Sequence, residues 1–295
     1  MIRLSNNSLQ LLLHEPDDGS YRGTRFDRSG LFDSVCWHDT ELSGQWFPVY
    51  DPYAHDAVKG PVEEFSPLGF EEAAPGQTFI KPGVGILVRP DETPYERFRL
   101  HRIADPGVWE SRVVSDGVIF RHTIPGVYRY EKEIALTGPD SFEIRHCLES
   151  LGQDFSGEVY NHNFWTMGLS AIGPSRRIDF PFRPAGKWRA EYESVAFTPS
   201  GIRFSRPLTE GESVYCGNIH DSAATSDDAA PAAGMPYELK LSEGGIAIAI
   251  SGDVPLTRTI LWANHRIACL EPYNNFHTPF RWKIKYEFLY LDEHN

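Results

Sequence analysis

Residues 282–290, WKIKYEFLY, decide the fold of this chain, because large apolar side chains occupy every second position. Successive side chains of an extended strand point to opposite faces, so one face of this stretch is apolar throughout. A period of two predicts a half-buried antiparallel β-strand. The same alternation recurs in YRYEKEIAL (128–136) and in FEIRHCLE (142–149), which predicts further strands of the same kind.

Turn-forming residues separate the alternating stretches at short intervals, as in sandwiches and barrels. They stand in five hairpin-like segments: VSDGVI (114–119), TIPGVY (123–128), LTGPDS (136–141), TPSGIR (198–203) and LSEGGIA (241–247). No window shows a helical period over ten or more residues. We therefore expect an all-β fold, a large two-sheet antiparallel β-sandwich in which residues 1–295 form a single domain.

Two stretches lack this alternation and are rich in turn formers or small polar residues. Residues 50–80 also carry many carboxylates, and residues 219–236 read IHDSAATSDDAAPAAGMP. We expect both to be long loops. Loops on a rigid β scaffold are where ligand contacts tend to lie.

The net charge of the chain argues against anionic macromolecules and membranes as partners. The formal net charge is −13, so a nucleic acid or an anionic membrane surface would on average be repelled. The apolar patch at 9–13 is too short for a secretory signal, and no stretch approaches the 18 apolar residues of a membrane helix. We expect a cytoplasmic protein, monomer or homodimer, with a small-molecule ligand.

The four cysteines stand far apart in the sequence and never form a C-x-x-C pair. They are Cys36, Cys147, Cys216 and Cys269. Most lie in apolar, strand-like segments. We therefore expect free, buried thiols in a reducing compartment rather than disulfides or a metal site.

Two residue types that move protons stand in strand-like contexts. His162 lies in VYNHNFWTMG (159–168), and Glu271 follows the apolar segment 267–270 directly, with Pro272 predicted to end the strand. Aromatic neighbours would partly desolvate the carboxylate and tune it toward general-base work. The alternatives are a packed histidine bonded to a backbone carbonyl and a glutamate in a surface salt bridge.

Both segments resemble motifs of one enzyme family. NHNFW (161–165) resembles the Asn-His-x-aromatic-aromatic signature of aldose 1-epimerases, the galactose mutarotases, and CLEPYN (269–274) resembles their C-terminal Glu-Pro element. The order along the chain also agrees: arginines near the N-terminus, then the histidine, then the glutamate. The resemblance implies a large β-sandwich that binds one monosaccharide or sugar derivative and interconverts its anomers.

The family resemblance also implies roles for particular residues. Glu271 takes the proton of the anomeric hydroxyl while His162 protonates the ring oxygen, so both must face one cleft, about 5 to 8 Å apart. Arg22 or Arg25 supplies the arginine that binds the sugar, and the alternative is a structural ion-pair cluster. The further residues expected to bind the substrate are Lys59, Asn161, Trp165, Trp262, His265 and Tyr273.

One departure from the family pattern bears on the substrate. Lys59 precedes Gly60 where mutarotases carry a second histidine in a His-Gly element. Lysine in that place, with several arginines about, would suit an acidic or phosphorylated sugar.

Other functions remain open at this stage. One is a non-catalytic carbohydrate-binding protein, and another is a polysaccharide lyase or hydrolase on the same fold. We expect no cofactor and no metal, because His55, Asp56, Glu63 and Glu64 match no compact ligand motif.

Overall fold

The computed structural model describes residues 1–168, 171–223 and 237–291. These residues form 23 β-strands, numbered here in chain order, and no helix. With no helix among them, the described residues also hold none long and apolar enough to cross a membrane. The prediction of an all-β, antiparallel β-sandwich is confirmed.

The largest sheet has ten antiparallel strands. From one edge to the other they are β16 (Val195–Thr198), β17 (Gly201–Phe204), β14 (Arg177–Asp179), β19 (Tyr237–Glu243), β20 (Ile246–Gly252), β23 (Phe280–Tyr290), β12 (Ser141–Ser150), β11 (Tyr128–Gly138), β10 (Gly117–Ile124) and β9 (Val108–Val113). The three alternating stretches of the sequence form β23, β11 and β12, which lie side by side in this sheet.

The second sheet has six antiparallel strands. In order they are β15 (Pro184–Trp188), β18 (Ser213–Asp221), β21 (Arg258–Asn264), β22 (Ala268–His277), β13 (Ser156–Phe164) and β5 (Gly60–Phe65). Two smaller sheets complete the fold: β1 (Ile2–Ser5), β2 (Leu9–Leu13), β3 (Phe32–Trp37) and β4 (Thr40–Ser43) form one, and β6 (Thr78–Lys81), β7 (Gly85–Val88) and β8 (Ile103–Asp105) form the other.

The main core lies between the ten-stranded and six-stranded sheets. Tyr130 and Ile284 from the first sheet belong to the same buried cluster as Val159, Leu261 and Leu270 from the second. β11 and β23 alternate buried and more exposed positions over much of their length, as the sequence pattern predicts. The inner face of the six-stranded sheet is buried in this core, and its outer face takes no part in it.

The prediction of a long loop over residues 50–80 is wrong in part, because β5 and β6 lie within it. All six residues of β5, GPVEEF, are buried, including both glutamates. Glu63 points to the inner face and Glu64 to the outer face, and each is surrounded by cations. Because β5 contains two adjacent glutamates, its sequence shows no alternation of apolar and polar residues, and the pattern did not predict it as a strand. The second predicted loop, 219–236, is wrong at its start, because residues 219–221 belong to a strand that ends at Asp221, and its residues 224–236 lie outside the described residues.

All four cysteines are free, as predicted, but they are not all buried. Cys216 in β18 and Cys269 in β22 are buried, whereas Cys36 in β3 and Cys147 in β12 are half-buried. The two half-buried thiols sit at positions whose side chains leave the core face of their strands.

A buried network of charged and polar side chains joins the two sheets beneath β5 and β13. The ammonium group of Lys132 is paired with Glu63, and it lies 3.4 Å from Asp27 Oδ2. Glu63 Oε1 also accepts from Asn161 Nδ2 at 2.9 Å and lies 3.0 Å from His146 Nε2. Burial would raise the pKa of Glu63, but Lys132 and His146 outweigh it and lower the pKa.

Candidate active site

The outer face of the six-stranded sheet carries three rows of side chains, set by the antiparallel register of β21, β22, β13 and β5. The pairs Arg258–Tyr273, Tyr273–Tyr160 and Tyr160–Glu64 define the first row. The second row is Ile260, Glu271, His162 and Val62, and the third is Trp262, Cys269, Phe164 and Gly60. Side chains in one row are direct neighbours, because opposed residues of adjacent strands lie about 5 Å apart.

Pro272 does not end the strand, which corrects the sequence-based expectation. It lies in the middle of β22 and is paired with Thr259 of β21. On its other side, the pairing of β22 with β13 stops at Tyr160–Tyr273, one position before the proline. Proline has no N–H to donate, so it is tolerated where the ladder is already interrupted. Beyond this point, the Asn163 side chain bonds to the Leu270 carbonyl at 2.8 Å.

His162 and Glu271 are in direct contact at the centre of this face. His162 Nε2 lies 3.2 Å from Glu271 Oε1, and both side chains are more than nine-tenths buried. The sequence predicted that both side chains face one cleft, and both line the same cavity. The predicted separation of 5 to 8 Å is wrong. Their places in one row of the sheet bring them this close.

Burial pushes both groups toward their uncharged forms. Desolvation, together with the positive charges of Arg25 and Arg97, lowers the pKa of His162 well below its ordinary value. Desolvation also raises the pKa of Glu271 to about 7, against the opposing effect of the same two arginines. Near neutral pH His162 is therefore uncharged and Glu271 is partly protonated, so the carboxyl group can give a proton to a ligand or take one from it.

Aromatic rings supply the desolvation. Phe164 stacks on the His162 imidazole with ring centroids 3.9 Å apart, and Phe26 meets it edge-on at 5.8 Å. Trp262 is also edge-on to the imidazole, and Trp46 packs against both Phe164 and Trp262. Among the described residues, Nδ1 of His162 has no hydrogen-bond partner.

A second polar cluster lies beside the pair, in the first row. Arg25 Nε donates to Glu64 Oε2 at 2.6 Å, and its NH2 group donates to the Tyr160 hydroxyl at 2.9 Å. Arg97 also donates to the Tyr160 hydroxyl, at 3.2 Å. Burial alone would raise the pKa of Glu64, but Lys81, Arg25 and Arg97 hold it at about 2. Glu64 is therefore a fixed anion that orients Arg25.

The pair and this cluster open into a cavity of about 760 Å³. The sheet forms its floor, and the walls include the β4–β5 loop, which carries Trp46 and His55, and residues 95–98 of the β7–β8 loop. Tyr273 links the floor to the pair, because its hydroxyl lies 3.3 Å from Glu271 Oε2. A cavity of this size and mixed lining is typical of a small-molecule site.

Five of the predicted site residues line this cavity, and five do not. Those that line it are His162, Glu271, Arg25, Trp262 and Tyr273. Asn161 and Trp165 lie on the core side: Asn161 bonds to Glu63, and Trp165 packs against Tyr286 and Phe288 of the other sheet. Their neighbours in sequence belong to the cavity, but the two-residue period of the strand turns Asn161 away from it.

The remaining three predicted residues lie elsewhere on the surface. Lys59 pairs with Asp33 at 2.6 Å and lines a separate cavity of about 350 Å³. Arg22 is exposed beside Tyr53, and His265 lies in the turn between β21 and β22, beside Arg266. The prediction that these three line the site is wrong, since a matching position in the sequence does not fix the direction of a side chain.

Several residues that line the cavity were not predicted from the sequence. They include Trp46, Arg97, Arg189, Tyr215 and Arg258. Arg258 and Tyr215 could have been found from register, because each faces the cavity from a strand next to a recognised one. Arg97 carries no such signal, since it lies in a loop that approaches the sheet only in the folded chain.

The residues considered as metal ligands do not converge. His55 and Asp56 lie at the cavity wall, whereas Glu64 is buried against Arg25 and Lys81, and Glu63 lies in the core. In the described ranges, no group of three or more His, Cys, Asp or Glu side chains is arranged to hold a metal ion.

The raised pKa of Glu271 predicts a pH-dependent stability difference. The unfolded carboxyl titrates near 4.5 and the folded one near 7, so the stability present below 4.5 is lost as pH rises through 7. Glu271→Gln cannot ionise, so at pH 8 the variant should be more stable than the wild type by about 3 kcal/mol. Urea unfolding at pH 5 and pH 8 measures this; an equal difference at both values would contradict the raised pKa.

Comparisons with known proteins support the fold. The chain matches no protein-family model and no curated protein sequence. Among solved structures, the Slr1438 protein from Synechocystis sp. PCC 6803 is similar over 97% of this chain and 94% of that chain, with 12% identity and a TM-score of 0.54. A 4-alpha-glucanotransferase from Thermococcus litoralis aligns with 97% of this chain and 37% of that chain, with 9% identity and a TM-score of 0.36. The likeness to Slr1438 concerns the fold alone.

Proposed function

We propose that this protein is an aldose 1-epimerase-like enzyme that interconverts the anomers of a sugar. The observation that carries the proposal is the buried His162–Glu271 pair at the floor of a ligand-sized cavity. General acid–base catalysis needs titratable groups within hydrogen-bond reach of the reacting atoms, with a pKa near the working pH. The pKa of Glu271 lies near 7, close to a neutral working pH. Its side chain lines the cavity, where a bound sugar would come within hydrogen-bond reach.

The close contact of the two groups suits this reaction. The anomeric hydroxyl oxygen and the ring oxygen are bonded to the same carbon, so an acid and a base that are neighbours in one row of the sheet can both reach them. Glu271 takes the hydroxyl proton while His162 gives a proton to the ring oxygen, and the C–O ring bond breaks to leave the open-chain aldehyde. After rotation about the C1–C2 bond, the same transfers run in reverse and close the ring as the other anomer.

This proton balance requires one shared proton on the pair before the reaction. Glu271 holds it in the resting site, because its pKa lies near 7 while that of His162 is lowered. The 3.2 Å contact lets the proton pass to His162 as the sugar hydroxyl approaches the carboxylate. Arg25 orients the sugar from the first row, where Glu64 and Tyr160 hold its guanidinium.

The shared proton predicts the pH dependence of the rate. Above pH 7 the pair loses this proton, so kcat should fall about tenfold per pH unit. Polarimetry on freshly dissolved single anomers, corrected for the uncatalysed rate, measures this directly. A kcat that climbs between pH 7 and 9 would show that His162 does not supply a proton. Binding of sugars with no acceleration for any anomer pair would leave a carbohydrate-binding protein instead of an enzyme.

A further inference from the structure

The cavity is rich in arginine although the whole chain is strongly acidic. The formal charge of the protein is −13. Four arginines line the cavity, Arg25, Arg97, Arg189 and Arg258, against three carboxyl side chains, Asp56, Glu96 and Glu271. Glu271 is itself only partly ionised near pH 7. A lining with more arginines than carboxylates favours an anionic ligand.

The arginines fall into two groups. Arg25 is buried and bonded to Glu64, so its charge is largely balanced. The other three are more exposed: the side chains of Arg97 and Arg258 are 41% and 38% exposed, and Arg189 is also exposed. Arg258 donates to Glu158 at 2.7 Å, and Arg97 approaches Glu64 no closer than 3.9 Å. Among the described residues, no carboxylate lies within 4.0 Å of the Arg189 guanidinium, and Arg189 is exposed.

Aromatic rings hold these three guanidinium groups in place. Arg258 lies 4.3 Å above the ring of Tyr273, and Arg189 lies 4.0 Å above the ring of Tyr215. Arg97 lies 5.7 Å above Tyr160. Stacking fixes the plane of a guanidinium and leaves its N–H edges free to bind two oxygens of a carboxylate or phosphate. The positive charges of all three also act on the Tyr215 hydroxyl, so they converge on this end of the cavity.

The cavity floor between Arg189 and Arg258 is formed by β18, which lies between β15 and β21 in the sheet. Gly217 of β18 lines it without a side chain, and Asn218 next to it has a positive φ of 52° at a register shift in the strand. Such bulges are over-represented beside active sites. β18 is two strands from β22, so this floor lies about 10 Å from Glu271. A group attached to a sugar ring held at the His162–Glu271 pair can reach it.

We propose that the sugar carries an anionic group, a carboxylate or a phosphate, which binds over Gly217 between Arg189 and Arg258, with Arg97 as a third cation. This inference rests on the proposed function, because the His162–Glu271 pair sets where the ring lies. The shared chemistry of the two candidates is a planar or tetrahedral set of anionic oxygens. They differ in reach, since a phosphate ester extends further from the ring than a carboxylate bonded to it.

Calorimetric titration tests the inference without any need for turnover. The ligands are glucose, glucuronate and glucose 6-phosphate, with the corresponding galactose series. At least one anionic sugar should bind about tenfold or more tightly than its neutral parent, because hydrogen bonds to charged groups are the stronger ones. Arg189→Gln and Arg258→Gln should remove most of this preference and leave the affinity for the neutral sugar within about twofold. The anionic sugar with the larger gain in affinity over its neutral parent shows whether the group is a carboxylate or a phosphate.

Arg3→Gln is the matched control, since it removes one positive charge from an exposed position on β1, in another sheet. It should leave the preference unchanged. Neutral sugars that bind as tightly as the anionic ones, or a preference that survives both cavity variants, would overturn the inference. Tight binding of an anionic sugar with no acceleration of anomer exchange would instead overturn the proposed function alone.

Discussion

Glu271→Gln is expected to slow anomer interconversion by about 10² to 10⁴-fold while sugar affinity changes little. The amide keeps the shape of the carboxyl group, and it can still contact His162 and the Tyr273 hydroxyl, which lie 3.2 and 3.3 Å from the two carboxylate oxygens. It cannot accept a proton at neutral pH, so the loss falls on kcat. Polarimetry for the rate and calorimetry for the affinity separate the two effects.

The matched control is Glu143→Gln, the same chemical change on β12 of the other sheet, where the carboxylate pairs with Arg145. This variant should keep the full rate. If Glu271→Gln retains a rate within a few-fold of the wild type, Glu271 is not the base. If the rate is lost, the stability of Glu271→Gln at pH 8 shows whether unfolding is the cause. A variant that is more stable than the wild type is folded, so its lost rate comes from the missing carboxylate.

Lys132→Met is expected to destabilise the protein by about 3 to 5 kcal/mol. Lys132, Glu63 and Asp27 are all fully buried, and Lys132 is the cation that contacts both carboxylates. Methionine has a similar shape but no charge, so it leaves two carboxylates in the core facing only His146 and neutral donors. Removing one partner of a buried ion cluster costs this much because the remaining charges stay desolvated. Urea unfolding followed by tryptophan fluorescence gives the free energy.

Lys283→Met is the surface control, since this lysine is half exposed and 3.7 Å from Glu143. It should change the free energy of unfolding by less than about 0.5 kcal/mol. Combining Lys132→Met with Glu63→Gln removes one of the stranded charges and should recover part of the loss. An unfolding free energy of Lys132→Met equal to that of the wild type would contradict the account of the network.

The buried network also limits what the sequence could predict about the site. Asn161 stands next to His162 in the recognised motif, yet it bonds to Glu63 on the inner face. Its role is to tie β13 to the core network, on the face opposite the cavity. The motif identifies both residues by type and order, but the direction of each side chain follows from which face of the strand meets the other sheet. Trp165 was misplaced for the same reason.

The sequence by itself determined the fold class, and it singled out His162 and Glu271 as candidates. The period of two in 282–290 predicts a half-buried strand, and β23 forms there; its recurrence in 128–136 and 142–149 extends the prediction to an all-β fold. His162 and Glu271 were singled out because NHNFW and CLEPYN resemble two motifs of the mutarotases; residue type alone also allowed a packed histidine and a glutamate in a surface salt bridge. Composition also excluded an electropositive surface overall, although not an electropositive cavity.

Only the tertiary structure decided how close the pair is and which cations surround it. The 3.2 Å contact depends on the register of β13 against β22, strands that are more than one hundred residues apart in the chain. Register is set by packing of the inner face and by the interruption at Pro272, and neither can be read from one strand alone. Arg97, Arg189 and Arg258 reach the cavity from a loop and two different strand ends, so no spacing along the chain marks them as a group. Long-range pairing brings them together, and a local sequence pattern carries no information about it.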